Sequence, residues 1–196
     1  MDYSSASRFM LKKLESELPS YCFYHDYAHT LDVLAAVETL AREESITDTE
    51  TVDLMRTAAV YHDCGFFEQY RANEPIAVRI AAEILPRYGY SEPQVKFISR
   101  LILVTALDAV PADIYEQILK DADFDYLGRD DYPETALKLK EEWSVMGMNY
   151  SMHEWHGLQL RFLESHVYYT STAQRLRGPG KQKHIQKLKE ILAAEK

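Results

Sequence analysis

Apolar residues recur at helical spacing along almost the whole chain, and this periodicity constrains the fold more than any other feature. In the first segment Phe9, Leu11, Leu14 and Leu18 form one stripe, which ends at Pro19. No stretch alternates apolar and polar residues as a β-strand with one buried face would. The sequence therefore predicts an all-α fold.

The chain has 196 residues, without internal repeats or low-complexity tracts, which is enough for one domain with a substantial core. We predict a single compact domain over residues 1–196, with its core at about 20–177. Gly178-Pro179-Gly180 is the clearest break and predicts a hinge before a basic last helix at 181–194. The lysines and arginines around this helix are typical of a solvated face, and the alternative is a position at the mouth of a phosphate-binding pocket.

The charge balance limits the classes of partner. Asp and Glu number 31 against 22 Lys and Arg, so the surface repels the phosphates of nucleic acid, which we exclude as a partner. A small phosphorylated molecule remains compatible because a bound cation reverses the local field. No apolar run is long enough to span a bilayer, and the first residues lack a secretion signal. We expect a cytoplasmic protein without a membrane partner, and the sequence leaves open whether it forms an oligomer.

Three segments carry side chains of the metal-ligand type. His25 and His29 lie one turn apart on a predicted helix, so both can face one site. The second segment is an apolar run that ends in His62-Asp63, and the third is an apolar turn that ends in Asp121. Two neutral imidazoles and two carboxylates suit a divalent ion such as Zn, Fe, Mn or Ni.

These segments resemble a known family. The order His29, His62-Asp63, Asp121 resembles the H…HD…D signature of the HD-superfamily metal-dependent phosphohydrolases. The segment Tyr24-His25-Asp26-x-x-His29 is similar to the Tyr-His-Asn-x-x-His segment of cyclic-nucleotide phosphodiesterases and their bacterial relatives. Residues 121–130 are similar to a stretch in a bacterial subgroup of predicted HD phosphohydrolases, and the resemblance extends over about residues 20–190.

The resemblance implies a site and a reaction. His29, His62, Asp63 and Asp121 would be the metal ligands. His25 would be catalytic by protonating the leaving oxygen, and Asp63 would also be catalytic and bridge to a second ion. The implied reaction is attack of metal-activated water on a phosphoester or phosphoanhydride of a nucleotide-like small molecule, with Zn, Fe, Mn, Ni or Mg as the ion.

One departure from the family pattern bears on the number of ions. Members with a fully ligated second metal have extra histidines after the His-Asp pair, and this chain has none between His62 and His153. Where relatives often read His-Glu, it has Asn73-Glu74. We therefore expect one tightly bound ion, with any second ion held weakly by Asp63, with Glu74 as a further candidate. A di-iron oxygenase is disfavoured.

Several alternatives stay open at this point. The chain could be a non-catalytic nucleotide- or signal-binding HD module, although such modules usually lose ligands and this chain keeps all four. His25 could instead hydrogen-bond to a backbone carbonyl or to Asp32. Asp123 and Asp125 could orient the metal ligands, or they could cap the turn before Gly128.

Overall fold

A computed structural model describes residues 1–194; residues 195 and 196, which the predicted 1–196 domain includes, lie outside this range. The all-α prediction is confirmed, because the described residues form nine α-helices, three short 3-10 helices and no strand. The α-helices are α1 (Tyr3–Glu17), α2 (Tyr27–Glu43), α3 (Thr49–Tyr61), α4 (Asn73–Ile84), α5 (Glu92–Leu103), α6 (Ile114–Asp123), α7 (Tyr132–Val145), α8 (Met152–Ser165) and α9 (Ser171–Ala194). The 3-10 helices are Cys64–Phe67, Leu85–Tyr88 and Asp125–Gly128.

Aspartate side chains begin the helices that carry the site. Asp26, Asp48 and Asp113 accept hydrogen bonds from amides in the first turns of α2, α3 and α6, at 2.8, 2.8 and 3.0 Å. In the sequence, Asp48 or Thr49 is typical of an N-cap, and the structure confirms Asp48 as the N-cap of α3. The start of α2 differs from prediction, because Asp26 is its N-cap and His25 lies before the helix.

The core lies between α2, α3 and the helices packed on them. Helix α2 packs against α3 and α6, α3 packs against α5, and α8 packs against α9. The expected core at about 20–177 is too short at both ends, because Met10 and Leu14 of α1 and Leu188 of α9 are buried in the same cluster. No helix among residues 1–194 has both the length and the hydropathy needed to cross a bilayer.

The predicted hinge at Gly178-Pro179-Gly180 is wrong, because α9 runs through these residues without a break. The glycines serve close packing instead. A Cβ atom on Gly180 would overlap the carbonyl oxygen of Gly128, and one on Gly128 would overlap the backbone of Arg177. Gly180 and Gly128 therefore let α9 lie directly on the 3-10 helix Asp125–Gly128. A glycine that permits close packing and a glycine that forms a hinge look the same in the sequence.

Candidate metal centre

Three helix ends bring four ligand-type side chains together. His29 lies in the first turn of α2, His62 and Asp63 follow the last residue of α3, and Asp123 is the last residue of α6. His29 and His62 are 8% and 0% exposed, so their side chains lie inside the fold rather than on its surface. The packing of α2 against α3 and α6 therefore builds one cluster from segments that are far apart in sequence.

The ligand atoms of His29, His62 and Asp123 all lie within 4.8 Å of one another, as a shared ion requires, and Asp63 lies against the two histidines. Asp63 Oδ2 lies 3.4 Å from His29 Nε2 and 3.1 Å from His62 Nε2. Asp123 Oδ1 lies 3.2 and 3.6 Å from the same two nitrogens. Two atoms that are each about 2.1 Å from one ion, at angles of about 90–109°, lie roughly 3.0–3.4 Å apart. The cluster fits a divalent cation.

The hydrogen bonding of these residues also fits a cation. Within the described residues, His29 Nε2, His62 Nε2 and Asp63 Oδ2 are buried and make no hydrogen bond. His62 Nδ1 lies 2.7 Å from the Ala59 carbonyl oxygen, to which it can only donate, so the lone pair of the neutral ring is on Nε2. A bond from the second ring nitrogen to a backbone carbonyl is a common way to orient a metal-ligating histidine.

The charges of the cluster stabilise one another. Burial alone would raise the pKa of the Asp63 and Asp123 carboxyls, but His62 and His29 outweigh it and hold the pKa of both below the usual range. Burial would lower the pKa of His62, yet the two carboxylates raise it well above its ordinary value. Protons and a metal ion therefore compete for the same nitrogens, and metal affinity should fall as pH falls.

Asp121 does not join the cluster, which corrects the predicted ligand set. Asp121 is 1% exposed, and both of its carboxylate oxygens accept hydrogen bonds from the segment before α9. Tyr169 N donates to Oδ1 at 2.9 Å, and Thr170 N and Oγ1 donate to Oδ2 at 2.7 and 2.8 Å. Residues two apart on a helix point about 200° apart, so Asp121 and Asp123 face opposite sides of α6, and only Asp123 faces the imidazoles.

His25 lies beside the cluster without being part of it. Its ring centroid is 5.8 Å from that of His29, and the ring stacks on Phe66 with centroids 4.3 Å apart. Its Nδ1 lies 2.5 Å from Glu142 Oε1, so neither of the partners considered from sequence, a backbone carbonyl or Asp32, is the observed one. Glu142, with 0% exposure, also accepts from the amides of Tyr24 and His25 at 2.9 and 3.1 Å.

This pairing sets the charge of His25. Burial alone would lower the pKa of His25, but the hydrogen bond to Glu142 and the nearby carboxylates raise it above its ordinary value. Burial would raise the pKa of Glu142, while His25 and the two amides lower it. The ionised pair leaves His25 Nε2 as the ring nitrogen that is available to a ligand.

Comparison with known proteins gives the family. The model of the HD domain family matches residues 26–124, just over half of the chain, which include His29, His62, Asp63 and Asp123. The chain belongs to the HD domain family. No curated protein sequence matches it.

Two solved structures show the same fold as this HD domain. A predicted HD superfamily hydrolase from an uncultured Thermotogales bacterium aligns with a TM-score of 0.65 at 18% identity, covering 96% of this chain and 92% of that chain. A protein from Lactobacillus plantarum aligns with a TM-score of 0.71 at 15% identity, covering 99% and 98%. At these identities the similarity establishes the fold alone.

A chamber of about 330 Å³ opens on the metal centre of the HD domain. His25, Asp63 and Asp123 line it. Its apolar wall comes from α7, α8, the residue after α6 and the loop after α5. The apolar residues of this wall are Leu107, Phe124, Leu139, Trp143, Leu158 and Phe162.

Neither Glu142 nor a ligand role for Asp123 was predicted from the sequence. Glu142 lies three residues after the partly buried Leu139 on α7, so its acidic side chain on the inward face of the helix could have indicated a functional residue. For Asp123 no such signal exists, because both carboxylates follow the same apolar turn of α6.

Proposed function

We propose that this HD domain is a metal-dependent phosphohydrolase that hydrolyses a phosphoester or phosphoanhydride of a nucleotide-like small molecule. The observation that carries the proposal is the juxtaposition of two elements: the converging atoms of His29, His62, Asp63 and Asp123, and a histidine paired with a buried carboxylate next to them. Membership of the HD family supports the same reaction class.

Each side chain has a distinct task in this reaction. His29, His62, Asp63 and Asp123 would hold a divalent ion (Zn, Fe, Mn, Ni or Mg), which would supply a nucleophilic water near neutral pH and offset charge on the phosphoryl group. His25 donates its Nε2 proton to the leaving oxygen as the bond from that oxygen to phosphorus breaks. Glu142 orients the ring and favours its protonated form. Asp63 keeps its predicted second task of bridging to a weakly held second ion.

The proposal is tested by metal content and turnover measured together. The purified protein should contain about one divalent transition metal per chain. It should release phosphate from, or open, at least one member of a panel of nucleotides, phosphodiesters and nitrophenyl phosphate. Chelation should stop turnover, and the metal should restore it. His62→Ala and Asp123→Ala should lose the metal, whereas the exposed control Asp108→Ala should keep it.

Two outcomes would contradict the proposal. Turnover that is insensitive to chelation would point to a different mechanism. Tight nucleotide binding without turnover under several metals would favour the non-catalytic nucleotide- or signal-binding alternative.

A further inference from the structure

Apart from His25, which is paired with Glu142, the charged side chains that line the chamber beside the candidate metal centre are negative. Asp63, Glu74 and Asp123 line it, and no lysine or arginine among the described residues does. Lys120, three residues before Asp123 on α6, is 4% exposed, donates to the carbonyl oxygens of Ala106 and Leu107, and does not line the chamber. An ion held by the cluster could bind one phosphoryl group, but no lysine or arginine within residues 1–194 lines the chamber to neutralise a second.

The basic residues of the last helix do not supply the missing charge. Arg175 pairs with Glu43 at 2.9 Å, and Arg177 pairs with Asp125 at 2.7 Å. Lysines and arginines of α9 are absent from the chamber lining. The alternative position of this basic run at the mouth of a phosphate-binding pocket is therefore not what the described residues show.

The apolar lining of the chamber suits an uncharged body. Phe124, Trp143 and Phe162 are among the lining residues, and aromatic walls bind flat organic groups by burial and stacking. Its volume of about 330 Å³ is at the small end for ligand cavities, so it accommodates one small molecule.

One polar group indicates that a ligand belongs in the chamber. Asn73 is 8% exposed, lines the chamber, and its Oδ1 is buried without a hydrogen bond to any described residue. Its position is tightly determined: the preceding Ala72 adopts a left-handed φ of 51°, and a Cβ atom on Gly65 would overlap the Asn73 carbonyl. A buried acceptor without a partner costs free energy that a ligand hydroxyl or amino group removes.

We infer that the chamber selects substrates with a single phosphoryl group attached to a flat, uncharged organic body, and that it discriminates against polyphosphates. The inference rests on the proposed function and narrows it from phosphoesters and phosphoanhydrides to phosphoesters. A second phosphoryl group would place further negative charge beside three carboxylates, with no lysine or arginine of the described chain in the lining and with His25 already paired with Glu142, which is unfavourable in a partly desolvated site.

The test measures binding, so that it does not depend on turnover. The Mn²⁺-loaded protein is titrated by calorimetry with three compounds whose C–P bonds resist hydrolysis: ethylphosphonate, 2-phenylethylphosphonate and 2-phenylethane-1,1-bisphosphonate. The phenyl group should tighten binding about tenfold to a hundredfold, which is the effect of burying one ring. The second phosphoryl group should weaken binding relative to 2-phenylethylphosphonate.

A variant separates the charge of the chamber from chelation of Mn²⁺ by the bisphosphonate in solution. Leu158→Arg introduces a cation at a half-buried position of the wall, and Leu137→Arg introduces the same charge at an exposed position outside it. At equal metal concentration, Leu158→Arg should shift the ratio of the two phenyl compounds by about tenfold towards the bisphosphonate. Leu137→Arg should leave the ratio unchanged.

The failures of the two proposals are distinguishable. Equal binding of ethylphosphonate and 2-phenylethylphosphonate, tighter wild-type binding of the bisphosphonate, or no binding of any probe would overturn the inference. Binding in the expected order by a protein that hydrolyses nothing would support the selectivity of the chamber and contradict the proposed phosphohydrolase activity.

Discussion

Asp121 and Asp123 are two residues apart and chemically identical, so exchanging each for alanine tests whether one carboxylate supports the fold and the other binds the proposed metal. Asp121 is buried and holds the segment before α9 through Tyr169 and Thr170. Asp123 faces His29 and His62. We expect Asp121→Ala to destabilise the fold and retain the metal, and Asp123→Ala to lose the metal with a smaller effect on unfolding of the apoprotein.

The size of the Asp121 effect follows from its contacts. The carboxylate accepts from two backbone amides and one hydroxyl, and its removal leaves these buried donors without a partner. Burial of the charged carboxylate offsets part of the stability that these hydrogen bonds contribute, because it raises the pKa of Asp121 in spite of them. The net loss should be roughly 2–4 kcal/mol in the free energy of unfolding. For a chain of this length that is about 4–16 °C in Tm.

The assay combines calorimetric unfolding of the apoproteins with elemental analysis of the metal-loaded proteins. Asp121→Asn, which keeps one acceptor oxygen and the size of the side chain, should lose less stability than Asp121→Ala and provides a measurement if the alanine variant does not fold. Loss of the metal from Asp121→Asn together with full metal content in Asp123→Ala would refute the assignment of the two carboxylates.

Four further outcomes follow from the same geometry. His25→Ala should keep its metal and lose about 10²–10⁴-fold in kcat, with a smaller loss for nitrophenyl esters, whose leaving group needs less protonation; equal losses would argue against an acid role. Activity should fall as pH rises through the raised pKa of His25, and Glu142→Gln should lower that pKa and move the alkaline limb of the pH–rate profile to lower pH; an unmoved limb would contradict the pairing. Metal content should fall on acidification, because protons compete for the imidazoles; equilibrium dialysis at several pH values measures this, and a pH-independent affinity would speak against histidine ligands. Gly180→Ala should lower Tm because its methyl group overlaps the Gly128 carbonyl, whereas the exposed Gly147→Ala should lower it only through its positive φ; an unchanged Tm in Gly180→Ala would show that α9 can shift.

The helical class could be predicted from sequence because apolar periodicity and N-capping aspartates are local properties. Helix α1 and the N-cap at Asp48 needed no knowledge of other segments, but the buried face of α1 carries Ala6, Met10 and Leu14, and the predicted stripe shares only Leu14 with it. The proximity of His29 to His62-Asp63 was implied by the resemblance to the HD signature, because apolar periodicity alone does not say which helix ends meet.

Tertiary packing decided the rest, since it depends on which face of each helix meets a neighbour. The rotation of α6 about its own axis assigns Asp123 to the imidazoles and Asp121 to the amides before α9. Glu142 reaches His25 only because α7 folds back over the start of α2, across more than a hundred residues of chain. The glycines at 178 and 180 predict a hinge from the sequence, but in the folded protein Gly180 is in close contact with Gly128. A residue without a Cβ atom permits both flexibility and close backbone packing, so the sequence does not distinguish the two.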